Sequence, residues 1–138
     1  MSKSQSVAVC GIMVYSHGRI LMMRRCAKRH IGLYEIPMGK IDVGETPEEG
    51  ACRETFEEVN LKFNPKDLSL VYRNDNQESD SAPGTHYTLW IFKVDVSKAL
   101  SGPAKISEPK IFDHMDWLPL ASTTQPLSPI MEMLRTLK

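Results

Sequence analysis

The hydrophobic pattern at the start of the chain predicts a β-hairpin. Residues 7–15 (VAVCGIMVY) form one apolar, β-branched run, and residues 19–25 (RILMMRR) form a second. Between them lies Ser16-His17-Gly18, in which Gly18 supplies the positive φ that a tight turn requires. A basic loop at 24–30 follows the second run, so apolar residues give way to positively charged ones where the hairpin ends.

Three apolar runs in the second half of the chain predict further strands. They are Leu68 to Tyr72, residues 85–96 (THYTLWIFKVDV) and a segment near 111–117. Residues 85–96 carry apolar side chains on both faces, which is typical of a central strand that is covered on both sides. The polar stretch 74–84 has no periodicity and is predicted to be a loop.

A helix is predicted over residues 47–59, and both of its ends carry signals. Thr46 is the expected N-cap, Pro47 suits the first helical position, and Glu49 completes a capping box with Thr46. At the other end, Asn60 stands where a left-handed residue often closes a helix. This segment is the strongest helix prediction in the chain.

A second helix is predicted to begin at Ser128-Pro129 and to run through Leu134. Strands that bracket two helices indicate the α/β fold class. The sequence contains neither an internal repeat nor a low-complexity linker, so residues 1–138 are predicted to form a single domain.

Around the first helix, at 100° per residue, the side chains divide into two stripes. One stripe is predicted to face the core and contains Cys52, Phe56 and Val59. The opposite stripe carries three carboxylates at the spacing i, i+3, i+4, namely Glu54, Glu57 and Glu58. Because like charges at this spacing repel each other, the stripe is either a solvated acidic face or a site for hard Mg²⁺ or Mn²⁺. The helix alone does not decide between the two.

Composition narrows the class of protein. Apolar residues make up 41% and charged residues 25% of the 138 residues, which excludes a disordered chain. Seventeen basic residues balance seventeen acidic ones, which argues against a protein that binds long nucleic acid by bulk charge. We see no run near the roughly 20 apolar residues of a membrane span. Three cysteines without a CxxC pair indicate a reduced, cytoplasmic protein.

A longer motif surrounds the acidic stripe. Gly39 is followed by five residues, Glu45, seven residues, Arg53-Glu54, two residues and Glu57-Glu58. This spacing resembles the Nudix box, G-x5-E-x7-R-E-U-x-E-E-x-G-U, where U is a bulky apolar residue. Thr55 stands at an apolar position of that pattern, and Asn60 replaces its last glycine. The resemblance implies an α/β/α sandwich with a mixed sheet, and it favours the metal site over the solvated face.

The resemblance also implies an activity and residue roles. Nudix enzymes hydrolyse a nucleoside diphosphate linked to another moiety, with Mg²⁺ or Mn²⁺ as the cofactor. The metal ligands it implies are Glu54, Glu57, Glu58 and the carbonyl of Met38. One of the three glutamates is expected to act also as the base, and Arg53 is expected to pair with Glu45 and hold the loop against the helix.

Six further positions are candidates for substrate binding: Gly39, Lys40, Arg25, Glu108, Asp113 and Trp117. Arg25 lies in the basic loop, which either meets phosphates or is solvated. Trp117 either forms a base pocket or packs in the core. Glu108 and Asp113 precede it in a region that supplies base contacts or an extra acid in some members of the family.

The expected substrate is a nucleoside triphosphate, cut to the monophosphate and pyrophosphate. Residues 75–79 lack the proline of ADP-ribose hydrolases and the tyrosine of dinucleoside polyphosphate hydrolases, and HYTLWIFKV followed by EPKIFDHMDWLPL resembles the MutT type. Dinucleoside polyphosphates, nucleotide sugars and ADP-ribose stay as alternatives, as does a regulatory domain that binds nucleotide without catalysis. The expected partner is this small molecule, with neither long nucleic acid nor a membrane, and a homodimer is a possible assembly.

Overall fold

A seven-stranded mixed sheet and two α-helices make up the structure, a computed structural model that describes residues 7–80 and 82–137. The strands are β1 (Ala8–Ser16), β2 (Arg19–Arg25), β3 (Tyr34–Glu35), β4 (Met38–Lys40), β5 (Ser69–Glu78), β6 (His86–Asp95) and β7 (Phe112–Leu118). The helices are α1 (Pro47–Val59) and α2 (Pro129–Arg135). Within these ranges, neither helix has the length and apolarity to cross a membrane.

Strand β1 lies at the centre of the sheet. The main order is β3-β2-β1-β6-β5, with β4 paired to β1 and β7 paired to β2. β1 runs antiparallel to β2 and parallel to β6, so the sheet is mixed as expected. The hairpin turn between β1 and β2 is confirmed, since Gly18 has a φ of 79°.

The three strands predicted in the second half of the chain form at the expected positions, but β5 is longer than predicted. β6 lies between β1 and β5, which confirms it as a central strand. β5 continues to Glu78, so the predicted loop at 74–84 is wrong for its first five residues. These residues are polar because β5 is an edge strand with largely exposed side chains, and pairing with β6 holds them extended.

Two hydrophobic clusters cover the two faces of the sheet, which confirms the sandwich. On one face, α1 contributes Ala51 and Val59 to a cluster with side chains from β1 such as Ile12. On the other face, α2 contributes Met131 and Leu134, which pack in a second cluster. The sheet is therefore buried on both sides, and α1 is held rigidly over β1 and β4.

The caps of α1 form as predicted. The Thr46 hydroxyl accepts the Glu49 N–H at 3.1 Å, and the Glu49 carboxylate accepts the Thr46 N–H at 2.9 Å. Asn60 adopts the left-handed conformation with a φ of 64° and donates its N–H to the Phe56 carbonyl at 3.0 Å. The start and end of this helix are therefore determined by local sequence.

The predicted core stripe of α1 is confirmed at Cys52 and Val59, which are buried, and is wrong at Phe56. Phe56 is 45% exposed, whereas Thr55 is fully buried and Glu58 is only 7% exposed. Thr55 tolerates burial because its hydroxyl donates to the Ala51 carbonyl at 2.8 Å, so no polar atom is left without a partner. The buried stripe is centred on Thr55 instead of Phe56, and this turns Glu58 towards the sheet.

Two substitutions test this orientation. Val59→Ala removes two buried methyl groups and should lower the free energy of unfolding by about 1–3 kcal/mol. Phe56→Ala, on the exposed side of the same helix, should change it by about 0.5 kcal/mol or less. Urea denaturation of both variants measures the difference. Equal destabilisation would contradict the observed rotation.

Candidate active site

Arg53 connects α1 to the loop that precedes it. Its Nε donates to Glu45 Oε2 at 2.7 Å and its Nη2 to Glu45 Oε1 at 3.1 Å, so the predicted pair forms with bidentate geometry. Nη2 also donates to the Lys40 carbonyl at 2.9 Å, and Nη1 donates to Glu54 Oε2 at 3.1 Å. One guanidinium thus fixes the end of β4, the loop and the first helix carboxylate. The hydrogen bonds that Arg53 donates to Glu45 lower the pKa of this carboxyl group.

Glu54 and Glu58 face each other one helical turn apart. Burial raises the pKa of Glu58 well above its ordinary value, and the neighbouring Glu54 carboxyl raises it further. The charges of Glu108 and Glu35 act in the same direction. Burial also raises the pKa of Glu54, against the opposing effect of Arg53. Without a cation, these two carboxyls hold a proton that water-exposed glutamates would release.

Gly39 lies directly beneath the Glu54 carboxylate. A Cβ at this position would overlap the carboxylate carbon and both of its oxygens. Gly39 belongs to β4 and pairs with Cys10 of β1, so the strand holds it in place. The glycine is therefore required by the space that the Glu54 side chain occupies, not by its backbone conformation.

Glu57 does not join the pair. Its side chain is 51% exposed and contacts Arg53 Nη1 at 3.3 Å. Among residues 7–80 and 82–137, no group of three or more histidine, cysteine, aspartate or glutamate side chains is arranged to hold a metal ion. The predicted convergence of three glutamates is therefore met by two of them, Glu54 and Glu58.

The donor chemistry nevertheless fits a hard divalent cation. Two carboxyls are held together against their mutual repulsion, and two more acids, Glu35 and Glu108, act on Glu58 electrostatically. Oxygen ligands of this type suit Mg²⁺ and Mn²⁺. Such an ion would replace the shared proton and offset the negative charge of both carboxylates.

An extended segment after β6 brings Glu108 to Glu58. Lys105 N–H donates to the Val59 carbonyl at 2.9 Å, and Ser107 N–H donates to the Glu58 carbonyl at 3.0 Å. The side-chain amide of Asn60 donates to the Pro103 carbonyl at 3.2 Å. The last carbonyls of α1 are satisfied by this segment, which therefore follows the helix end towards the acid pair.

A cleft of about 440 Å³ opens beside the acid pair. Its lining includes the acidic side chains of Glu58, Glu35 and Glu108. Six of the predicted site residues line it: Met38, Gly39, Lys40, Arg25, Glu58 and Glu108. Apolar side chains line it as well, among them Val9, Tyr87 and Ile130. The cleft has the shape and polarity expected for a small, charged ligand with an apolar portion.

Two predicted binding residues do not line the cleft. Asp113 is exposed and forms an ion pair with Arg24 at 2.9 Å. Trp117 packs against the hydrophobic cluster on the α1 side of the sheet, as the core-packing alternative expects, and lines a separate, shallow groove with Leu100 and Met115. β7 begins beside the cleft at Phe112 and then extends away from it, so Trp117 lies about 17 Å further along the strand. The pairing of β7 with β2 shifts register between Phe112 and His114, so Asp113 has no paired residue on β2 and its side chain contacts Arg24 instead.

Glu35 is the cleft residue that sequence reasoning missed. It belongs to the two-residue strand β3, which is too short to show any periodicity. Its carboxylate accepts a hydrogen bond from Arg25 Nη1 at 3.0 Å. The signal available in the sequence was a charged residue two positions before the proline that precedes Met38.

Comparison with known proteins finds similar sequences and a similar fold. Residues 4–133 match the family model described as the NUDIX domain. The chain is 39% identical over 69 residues to a MutT-like protein of Streptomyces ambofaciens, covering 50% of this chain and 43% of that protein. It is 36% identical over 94 residues to the 8-oxo-dGTP diphosphatase of Escherichia coli K12, covering 67% of each. A crystal structure of a MutT NUDIX hydrolase from Burkholderia pseudomallei has a TM-score of 0.79 and 28% identity, over 94% of this chain and 95% of that one. The chain thus spans under half of the Streptomyces relative.

The buried acid pair predicts a pH-dependent stability. Since the pKa of Glu58 is higher in the folded state than in the unfolded state, the folded protein holds more protons above pH 4.5, the ordinary Glu value. Stability without divalent cations should therefore fall as pH rises from about 5 to 8, with a slope of at most about 1.4 kcal/mol per pH unit for one proton.

Glu58→Gln should flatten this dependence, because it removes the group that must ionise while buried. Glu57→Gln is the matched control, and it should keep the wild-type slope because Glu57 is half exposed. The midpoint of thermal unfolding across this pH range, in metal-free buffer, measures the slopes. Parallel curves for wild type and Glu58→Gln would contradict the assignment.

Proposed function

The chain belongs to the Nudix hydrolase family, and on this premise we propose that it is a metal-dependent pyrophosphohydrolase of free nucleotides. We infer that its substrate is a nucleoside triphosphate, which water cuts to the monophosphate and pyrophosphate. The observation that carries the proposal is the buried Glu54–Glu58 pair, set over Gly39 and beside a cleft large enough for a nucleotide. The Escherichia coli relative, an 8-oxo-dGTP diphosphatase, supports a nucleoside triphosphate.

The residues divide into those that hold charge and those that fix geometry. When bound, Mg²⁺ or Mn²⁺ supplies charge neutralisation on the phosphate oxygens and promotes ionisation of a water. Glu54, Glu58 and the carbonyl of Met38 would hold it. Of the three helix glutamates, only Glu58 lines the cleft, so we assign it the position nearest to the phosphates.

Arg53 keeps this arrangement rigid. Its acceptors lie on the loop, on β4 and on α1, so we expect the Glu54 carboxylate to stay over Gly39 when substrate enters. Rigid placement matters because catalysis of phosphoryl and nucleotidyl transfer rests on positioning and electrostatic stabilisation. Lys40, at the cleft edge, is exposed and free to approach a phosphate group.

A substrate panel tests the proposal. Standard and oxidised nucleoside triphosphates, dinucleoside polyphosphates, a nucleotide sugar and ADP-ribose are incubated with Mg²⁺ or Mn²⁺, and products are separated by ion-exchange chromatography. We expect pyrophosphate and monophosphate from a triphosphate. Chelation should abolish turnover without unfolding the protein, and Glu58→Gln should lower turnover by at least about 100-fold.

The other outcomes of the panel contradict the proposal in distinct ways. Cleavage of ADP-ribose in preference to every triphosphate would replace the substrate class. Binding of nucleotides without any cleavage would indicate a regulatory domain. Near wild-type turnover by Glu58→Gln at saturating Mg²⁺ would refute its place among the ligands.

Gly39→Ala tests the position of the Glu54 carboxylate without preventing the protein from folding. The added methyl group must displace the Glu54 carboxylate, which ends a flexible side chain, so the protein should still fold. We expect turnover to fall by about 100-fold or more, as for loss of a metal ligand. Gly102→Ala, at an exposed position where a Cβ would meet its nearest neighbour, a side-chain carbon of Leu61, at an ordinary 3.5 Å, is the control for glycine substitution away from the site. Full activity of Gly39→Ala would contradict the role of this contact.

A further inference from the structure

Two chain segments that line the cleft meet at an ion pair. The His30 Nε2 atom lies 3.3 Å from Asp80 Oδ1, and both residues line the cleft. His30 lies between β2 and β3, whereas Asp80 lies between β5 and β6. β3 and β5 are the two ends of the main strand order, so the contact connects opposite halves of the sheet. We call this ion pair the bridge.

The cleft extends well beyond the acid pair. Cys10 of β1 pairs with Gly39 on one side and with Trp90 of β6 on the other. Tyr87 precedes Trp90 by three residues, so two strand spacings and three residue rises place it about 14 Å from Gly39. Because Gly39 lies beneath Glu54, a ligand that binds at the acid pair must extend across β1 to reach Tyr87.

Tyr87 connects the bridge to this second region of the cleft. Burial raises the pKa of the Tyr87 hydroxyl, the charge of Asp80 raises it further, and the charge of Arg29, next to His30, opposes both effects. Tyr87 therefore lies near both segments that the bridge joins. Its ring gives the cleft an aromatic surface, which suits a nucleobase or the apolar side of a ribose.

The loop that carries His30 has its shape fixed by the surrounding chain. Lys28 has a φ of 70° and His30 a φ of 53°, a left-handed conformation that few residues other than glycine adopt. The Leu33 N–H donates to the His30 carbonyl at 3.0 Å, and the Arg25 guanidinium donates to the Arg29 carbonyl at 2.6 Å. Strain that neighbouring contacts maintain in this way is common at functional sites.

The turn that carries Asp80 is held by its own hydrogen bonds. The Ser79 N–H donates to the Thr85 carbonyl at 2.9 Å, and the Gly84 N–H donates to the Glu78 carboxylate at 3.2 Å. Each of the two segments is thus internally fixed, and the bridge sets the distance between them.

We propose that the His30–Asp80 bridge determines how tightly this protein binds the nucleoside part of its ligand, because it joins the two segments beside Tyr87 and fixes the width of the cleft there. The inference rests on the proposed function, which assigns the acid pair to the phosphates. The side chains are 19% and 36% exposed, so loss of the bridge should weaken binding moderately. The chemical step takes place at the acid pair and should keep its rate.

Three variants separate the bridge from the backbone that carries it. His30→Asn removes the imidazole, and asparagine tolerates the left-handed conformation better than most residues. Asp80→Ala removes the other partner. Lys28→Asn is the matched control, since Lys28 is exposed, has the same conformation in the same loop and lies outside the residues that line the cleft. Thermal unfolding verifies that each variant folds.

The two expected products probe the two regions of the cleft separately. AMP and GMP contain a nucleoside and pyrophosphate does not, and calorimetry with Mg²⁺ measures the Kd of each. His30→Asn and Asp80→Ala should each raise the Kd of the better monophosphate by about threefold to tenfold, and that of pyrophosphate by less than about twofold. The double variant should be no weaker than the weaker single variant.

Turnover of the best triphosphate gives a second measurement. Both bridge variants should raise KM by a similar factor and keep kcat within about twofold, because uniform binding is lost and the chemistry is not. Lys28→Asn should keep the Kd of both products and both kinetic constants.

Several results would overturn the inference. Equal weakening of monophosphate and pyrophosphate would indicate a general structural role, and unchanged or tighter monophosphate binding would show that the bridge does not retain the nucleoside. Additive losses in the double variant would show that the two residues act separately, and an equal loss in Lys28→Asn would assign the effect to the loop. Wild-type protein that binds neither monophosphate would also refute it. Bridge-dependent binding of a monophosphate by a protein that cuts no triphosphate would support the inference and refute the proposed function alone.

Discussion

Two carboxyl groups that are held together away from water dominate this structure. Glu54 and Glu58 repel each other when ionised, and burial makes ionisation harder still. Other features exist to keep them in place: Arg53 holds one carboxylate, Gly39 leaves room for it, and Thr55 turns the helix so that Glu58 faces inward. The folded chain thus maintains an unfavourable arrangement that a divalent cation would relieve.

Features that depend on neighbouring residues could be predicted from the sequence. The capping box, the left-handed Asn60 and the turn at Gly18 are each determined within a few residues, and all three form. The Arg53–Glu45 contact was implied by the resemblance to the Nudix box, and it forms. The rotation of α1 could not be derived in the same way, because hydrophobicity ranks Phe56 above Thr55. A hydroxyl that is satisfied by its own helix makes Thr55 a core residue.

Features that depend on strand pairing could not be predicted from the sequence. The edge strand β5 is longer than its apolar residues indicate, since β6 pairs with its polar half. Trp117 was a candidate for base contact, but the direction of β7 takes it to another groove. The basic loop was expected either to meet phosphates or to be solvated, whereas Arg25 is buried and donates to two loop carbonyls and to the Glu35 carboxylate of the neighbouring strand.

The connection between β6 and β7 limits how the sequence of this protein can vary, because part of it contacts the last turn of α1. Surface connections usually accept insertions and deletions at little cost. Residues 103–107, by contrast, form hydrogen bonds with the end of α1, and the same segment carries Glu108 to the cleft. An added residue here would shift that acid relative to Glu58. This connection should therefore keep a fixed length among homologues.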